Sequence, residues 1–170
     1  MDDEPQDLQR ELGRLHADSY GWALACCGRR TADAREVLQA AYLKVLDGRA
    51  RFGGRSRFRT WLFGVIRRTA AEERRRDALR RLRLVTFGDA PEPADPAAGA
   101  AERLEQSDDV RRLLSALARL PRRQREVLDL VFYHEMSVAE AADVMGVSVG
   151  SARQHYERGK ARLRVLLEPS

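Results

Sequence analysis

Two cysteines, three histidines and an aromatic content of 6% leave this 170-residue chain short of the residues on which most enzyme chemistry is built. The cysteines, Cys26 and Cys27, are neighbours on a predicted helix, where a mutual disulfide would be badly strained, so core packing is their expected role. His16, His134 and His155 are scattered, and no clustered metal ligands, Ser/His/Asp set, phosphate-binding glycine loop or paired carboxylates accompany them. The expectation is a protein without catalytic residues, metal or cofactor. No apolar run approaches the ~20 residues of a membrane span, and the opening MDDEPQD is unlike a secretory signal, which predicts a cytoplasmic protein with no membrane insertion. Residues 1–85 also lack the strand–helix alternation of a ligand-binding or receiver domain.

Charge is what the chain has in abundance. The charged fraction is 34% and the formal net charge +5, a balance that favours a polyanionic partner, either nucleic acid or an anionic membrane surface. Apolar residues recur at helical spacing throughout, which predicts an all-α protein of two small helical domains. Leu8, Leu12, Leu15, Tyr20, Trp22, Ala23 and Cys26 read as one long helix. A second helix starts at Thr31 or Asp33, carries an apolar stripe of Val37, Leu38, Ala41, Tyr42, Val45 and Leu46, and stops at Gly48. Its other face holds Asp33, Glu36, Gln39, Leu43 and Asp47. A Gly- and Arg-rich loop containing Phe52 follows, with a predicted cap at Ser56. The third helix turns Phe58, Trp61, Leu62, Val65 and Ile66 inward before becoming strongly basic beyond Thr69.

From Thr86 to Ala101 the sequence has three prolines, two glycines and no basic residue, the composition of a flexible linker. It sets expected boundaries of 1–85 for the first domain, 86–103 for the linker and 104–170 for the second domain. In the second, Leu104, Val110, Leu113, Leu114, Leu117 and Leu120 predict a helix. Pro121 then opens another at its first position, with Val127, Leu128, Val131 and Phe132 inward.

Ser137 and Glu140 form a capping-box pattern, Gly146 suits a left-handed helix stop, and Ser148 caps the next helix two residues later. In that last helix Val149, Ala152, Tyr156, Leu163 and Leu167 share one face, and Gly150, Arg153, Gln154, Glu157, Arg158 and Ala161 the other. Arg, Gln and Glu are side chains that pair with base edges in a major groove, so the pair of helices reads as a helix-turn-helix. Two capped helices of an ordinary bundle share this pattern.

LPRRQREVLDLVFYHEMSVAEAADVMGVSVGSARQHYERGKARLRVLL resembles region 4, the promoter-binding domain of bacterial sigma factors, above all of the extracytoplasmic-function group. Upstream, DAREVLQAAYLKVL looks like the region 2 helix that binds the polymerase clamp, and FGGRSRFRTWLFGVIRRTAAEERRR like the segment that recognises and opens the minus-10 element. The resemblance implies a transcription-initiation subunit that binds core RNA polymerase, double-stranded promoter DNA and the single-stranded non-template strand. Carried over position by position, Arg153, Gln154, Glu157 and Arg158 face the minus-35 major groove, with Ser151, Lys160 and Arg162 placed for phosphates. Glu157 has a second reading, an intrahelical pair with Arg153 or Lys160.

In the first domain Phe52, Arg55 and Ser56 lie in the loop that receives an extruded minus-10 base, Phe52 serving either as a stacking surface or as the anchor of its loop. Arg67, Arg68, Glu72 and Arg75 follow at helical spacing, suited to the separated strand. Asp33, Glu36, Gln39, Leu43 and Asp47 become the polymerase-binding face. Departures from the family pattern are Arg35 and Ala40, where acids are frequent, Arg68 for Asn, Glu73 for an aromatic, and Ala152 for a larger apolar residue. With few residues after the last helix, control by a separate anti-sigma partner is expected. The competing reading is a helix-turn-helix regulator that never joins polymerase. An enzyme and a membrane-surface protein fit the pattern less well.

Overall fold

The computed structural model describes residues 3–87 and 107–168, with side chains described over 7–84 and 107–168. Among the described residues every regular element is helical: α1 (Asp3–Arg14), α2 (His16–Cys26), α3 (Thr31–Leu46), α4 (Phe58–Phe87), α5 (Asp108–Ala118), α6 (Arg122–Leu128, running on into a π-helical turn, Asp129–Tyr133), α7 (Val138–Met145) and α8 (Val149–Leu167). Thr86 and Phe87, assigned to the linker from composition, are the last residues of α4. The rest of the expected linker, and Leu104, lie outside the described residues.

The first helices depart from the sequence reading. Instead of one long helix, the chain bends at Leu15 (φ −93°, ψ 5°). The bend lets α1 lie against both α2 and α3, so that Leu12 is buried and the Tyr42 hydroxyl reaches the Leu12 carbonyl at 3.5 Å. Periodicity alone cannot see the bend, because the Ser19 N–H still bonds the Leu15 carbonyl across it at 2.8 Å. Helix α3 begins at Thr31, one of its two expected starts, after Arg30 at the N-cap and with no side-chain cap. Ala34, Val37, Leu38, Ala41 and Val45 fill the core, while Leu46 is exposed at the rim of its stripe. Both cysteines are free and buried; burial pushes the Cys27 thiol up to about 11 and the Cys26 thiol well above its ordinary value, which makes them unreactive packing residues.

In the second half the helix-turn-helix has the expected caps. Ser137 accepts from the Glu140 N–H while Glu140 accepts from the Ser137 N–H, and the Glu140 carboxyl is held below the ordinary Glu range chiefly by that backbone bond. Gly146 takes φ 65° and Ser148 caps α8. Three expectations fail here. Pro121 is the N-cap of α6 rather than its first helical residue. Phe132, placed inward from its spacing, is 62% exposed, and Leu130 and His134 are buried instead. The π turn is the reason: its wider ring inserts extra arc into the 3.6-residue repeat, so the inward stripe of Val127 and Leu128 continues on a shifted phase. Val149, also expected inside, is exposed at the first turn of α8.

The two halves pack on each other, α4 against α7 and α2 against the π turn. This explains why α4 is buried on nearly all sides from Leu62 to Ile66, including Phe63, which its own domain's stripe leaves out.

Candidate nucleic-acid and polymerase interfaces

On α8, the turn at Gly146 and the Ser148 cap fix where the helix begins, and Ala152 and Gly159 are its buried contacts. Gly159 was not singled out from sequence. A Cβ there would stand 3.1 Å from Leu128 Cδ1 and 3.3 Å from the Gln124 carbonyl oxygen, so α8 crosses α6 at a distance that leaves a larger side chain little room. The crossing leaves Arg153, Gln154, Glu157 and Arg158 together on the exposed face. Among the described residues, Arg153, Gln154 and Arg158 make no hydrogen bond or ion pair, so their donors are available to a partner. Glu157 pairs with Lys160 at 3.1 Å, and that ammonium also lies 4.3 Å over the Tyr156 ring. The intrahelical reading of Glu157 thus describes the unbound chain. The Ser151 hydroxyl accepts from the Ser148 hydroxyl at 2.9 Å, which ties it to the helix cap.

A second surface lies around the loop before α4. Phe52, 43% exposed, meets Phe58 edge-on at 5.4 Å and Trp61 at 5.4 Å. It is anchored on one side and open on the other, so the two readings of this ring are compatible. Arg55 is exposed beside it, and the Ser56 hydroxyl donates to the Arg57 carbonyl at 3.3 Å. Ser56 is not the helix cap; the Arg57 carbonyl accepts the first helical bond, from Trp61. Along α4, Arg68 and Arg75 are exposed, while Glu72 is tied to the Lys44 ammonium of α3. Arg67 is set apart from them: its Nε and Nη2 both donate to Glu126 Oε2, at 3.1 and 3.0 Å.

The third surface is the outer side of α3. An open apolar groove of about 510 Å³ is lined by His16, Tyr20, Arg35, Leu38, Gln39, Tyr42, Leu43 and Leu46. It brings Gln39 and Leu43 together with Arg35. Asp33, Glu36 and Asp47 are not among the lining residues; Asp33 pairs with Arg30 at 2.6 Å, and Asp47 with Arg49 at 2.6 Å, a hydrogen bond that lowers the Asp47 carboxyl pKa. Leu46 and Tyr42 belong to this groove although their spacing assigns them to the core, because a stripe edge and a groove wall look alike in a one-dimensional pattern.

No helix of the described residues is long and apolar enough to cross a membrane, and they contain no cluster of His, Cys, Asp and Glu able to hold a metal ion.

Comparison with known proteins assigns both halves. The family model for Sigma-70 region 2 matches residues 12–80, and that for Sigma-70, region 4 matches residues 110–163. The chain is 35% identical over 167 residues to the RNA polymerase sigma factor CarQ of Myxococcus xanthus, covering 97% of this chain and 92% of that one. It is 30% identical to the sigma factor SigX of Bacillus subtilis, with 78% and 70% covered. Among solved structures it is similar to CnrH in complex with the cytosolic domain of CnrY, at a TM-score of 0.65 and 25% identity over 95% of this chain and 88% of that one. Its fold also matches that of the sigma factor RpoE in complex with the anti-sigma factor NepR from Bartonella quintana, at a TM-score of 0.70 and 24% identity over 95% and 97%. A bundle carrying a capped helix-turn-helix behind a basic helix is an all-helical, two-domain layout suited to binding nucleic acid. The chain belongs to the sigma-70 family, as a sigma factor of the extracytoplasmic-function type with regions 2 and 4. As a sigma factor it is not an enzyme: it binds core RNA polymerase and promoter DNA and directs promoter-specific transcription initiation.

Proposed function

We propose that α8 reads the minus-35 element through Arg153, Gln154, Glu157 and Arg158, with Ser151, Lys160 and Arg162 on flanking phosphates. The observation that carries this reading is the exposed face on which Arg153, Gln154 and Arg158 stand unpaired. Arg offers guanine a bidentate pair, Gln does the same for adenine, and Glu157 accepts from cytosine once it leaves Lys160. In the first domain, residues 1–85, Phe52, Arg55 and Ser56 receive an extruded minus-10 base on the open side of the aromatic cluster, while Arg67, Arg68, Glu72 and Arg75 follow the non-template strand. Asp33, Glu36, Gln39, Leu43 and Asp47 face core polymerase, with Leu43 entering the apolar groove contact. Residues 88–103, which follow α4, act as the linker to the second domain, 104–170. The protein works in the cytoplasm, and an anti-sigma partner restrains it, as the complexes of the two similar solved sigma factors suggest.

Replacing Arg153 and Arg158 by Ala lowers discrimination at the upstream element by about 1–3 kcal/mol for each base pair read, in binding assays against single-base variants. A uniform, salt-dependent loss across all sequences would reassign both to phosphates. The regulator reading fails if the purified chain with core polymerase starts transcription on fragments of its host genome.

A further inference from the structure

We propose that the contact between the two domains is a latch that holds the free chain closed, in which Glu126 of region 4 occupies on Arg67 the place that a non-template phosphate takes in the open form. The proposal rests on the sigma reading of α4. Glu126 is 4% exposed and is gripped from both domains: Arg67 of α4 donates twice to Oε2, and Arg122 of α6 donates to Oε1 at 2.9 Å. A carboxylate offering both oxygens to guanidinium groups has the chemistry of a phosphate. Sequence gave no hint of this pair, since its partners are 59 residues apart.

Beside it, His134 is inserted edge-on against Phe63, at 4.8 Å, and Trp22, at 6.0 Å. Among the described residues neither of its ring nitrogens has a hydrogen-bond partner, and Asp129 Oδ2 stands 3.4 Å from Nε2. A buried imidazole so poorly satisfied regains hydrogen bonds from water when the domains part, which suits a contact made to open. The closed form also fails on reach. Elements centred at minus 35 and minus 10 are about 25 base pairs apart, roughly 85 Å of duplex. A compact chain of this length is about 40 Å across.

Gly21 supplies the test. A Cβ there would meet Tyr133 Cε1 at 3.3 Å and His134 Cε1 at 3.7 Å, so the helix is pared down where region 4 rests on it. In the full chain, Gly21→Gln is expected to raise the radius of gyration in solution scattering from about 16 Å, the compact value, to above about 20 Å. Affinity for a degenerate single-stranded oligonucleotide rises roughly tenfold with it, as the masked state is depopulated. Glu126→Gln, which keeps shape and removes charge, moves affinity the same way, and Arg67→Ala added to Gly21→Gln cancels the gain. Unchanged size and affinity in both variants, with helical content retained by circular dichroism, overturns the latch. Expansion without gain in affinity overturns the role of Glu126 as a phosphate substitute. Transcription with core polymerase is scored separately: variants that open as expected yet start none refute the sigma reading and leave the latch standing.

Discussion

Helix α8 and helix α4 both carry basic faces, and they come by them in opposite ways. The geometry of α8 is set within a few residues, by left-handed Gly146, the Ser148 cap and the reciprocal bonds of Ser137 and Glu140. The face that carries Arg153, Gln154, Glu157 and Arg158 is exposed. The surroundings of α4 come from far away in sequence: Phe63 is buried by His134, and Arg67 is engaged by Glu126. One surface is therefore set by local structure, while the other depends on a tertiary contact. On the proposed reading of the two helices, recognition of duplex and handling of separated strands fall under different physical control in the same small protein.

The largest expected effect tests that contrast with a matched pair of rings. Phe63 is fully buried and lies between the indole of Trp22, stacked at 5.9 Å, and the imidazole of His134. Phe63→Ala should cost about 3–5 kcal/mol of stability by urea unfolding. Phe132→Ala removes the same side chain from a ring that is exposed and only stacks on Tyr156 at 5.9 Å, and should cost under about 1 kcal/mol. Sequence periodicity ranks these two the other way round. Equal losses would mean that Phe132 is covered in solution and that the π turn does not shift the stripe.

A smaller effect is expected where α8 crosses α6. Gly159→Val forces a branched side chain against Leu128 and the Gln124 carbonyl, and should destabilise by about 1–3 kcal/mol through overpacking. The same change at Gly150, whose nearest neighbour is Ser148 Oγ at 4.0 Å, should stabilise by a few tenths of a kcal/mol at most, since Val has a somewhat higher helix propensity than Gly. Thermal unfolding of the two variants in parallel separates the packing effect from the backbone effect. A tolerant Gly159 would show that α8 can shift without loss, and that its face is not fixed by this crossing.

These contrasts also mark what could be read in advance. The helical class, the split into two domains and the helix-turn-helix were legible because capping and periodicity act over four residues or fewer, as Ser137, Gly146 and Ser148 illustrate. The exposed set on α8 followed from the same arithmetic. What escaped has non-local causes. The bend at Leu15 answers to the position of α3, the burial of Phe63 and His134 answers to the other domain, and Gly159 is small because of α6. The π turn is local but breaks the period on which the reading depends, so Phe132 was turned inward and Leu130 missed. The roles of the polymerase-facing and strand-facing residues came from family resemblance, since periodicity carries no information about partners.

The smallest effect probes the local side of the comparison, through pH. Glu140 closes the capping box of α7, and its carboxyl pKa is lowered first by the Ser137 backbone N–H, with Arg57, 3.8 Å away, adding a minor part. A carboxyl whose folded value lies below its unfolded one contributes stability that is complete above about pH 4.3 and is lost as pH falls through the folded value. Glu140→Gln should therefore cost up to about 1 kcal/mol at neutral pH, the range of a capping contact, and progressively less in acid as the parent carboxylate is protonated. Urea midpoints of the two proteins should converge as pH drops below 4. A gap that stayed constant with pH would assign the effect to the shape of the side chain rather than its charge. The start of the helix-turn-helix would then owe its stability to packing against α4, and the two surfaces would be less different than their caps suggest.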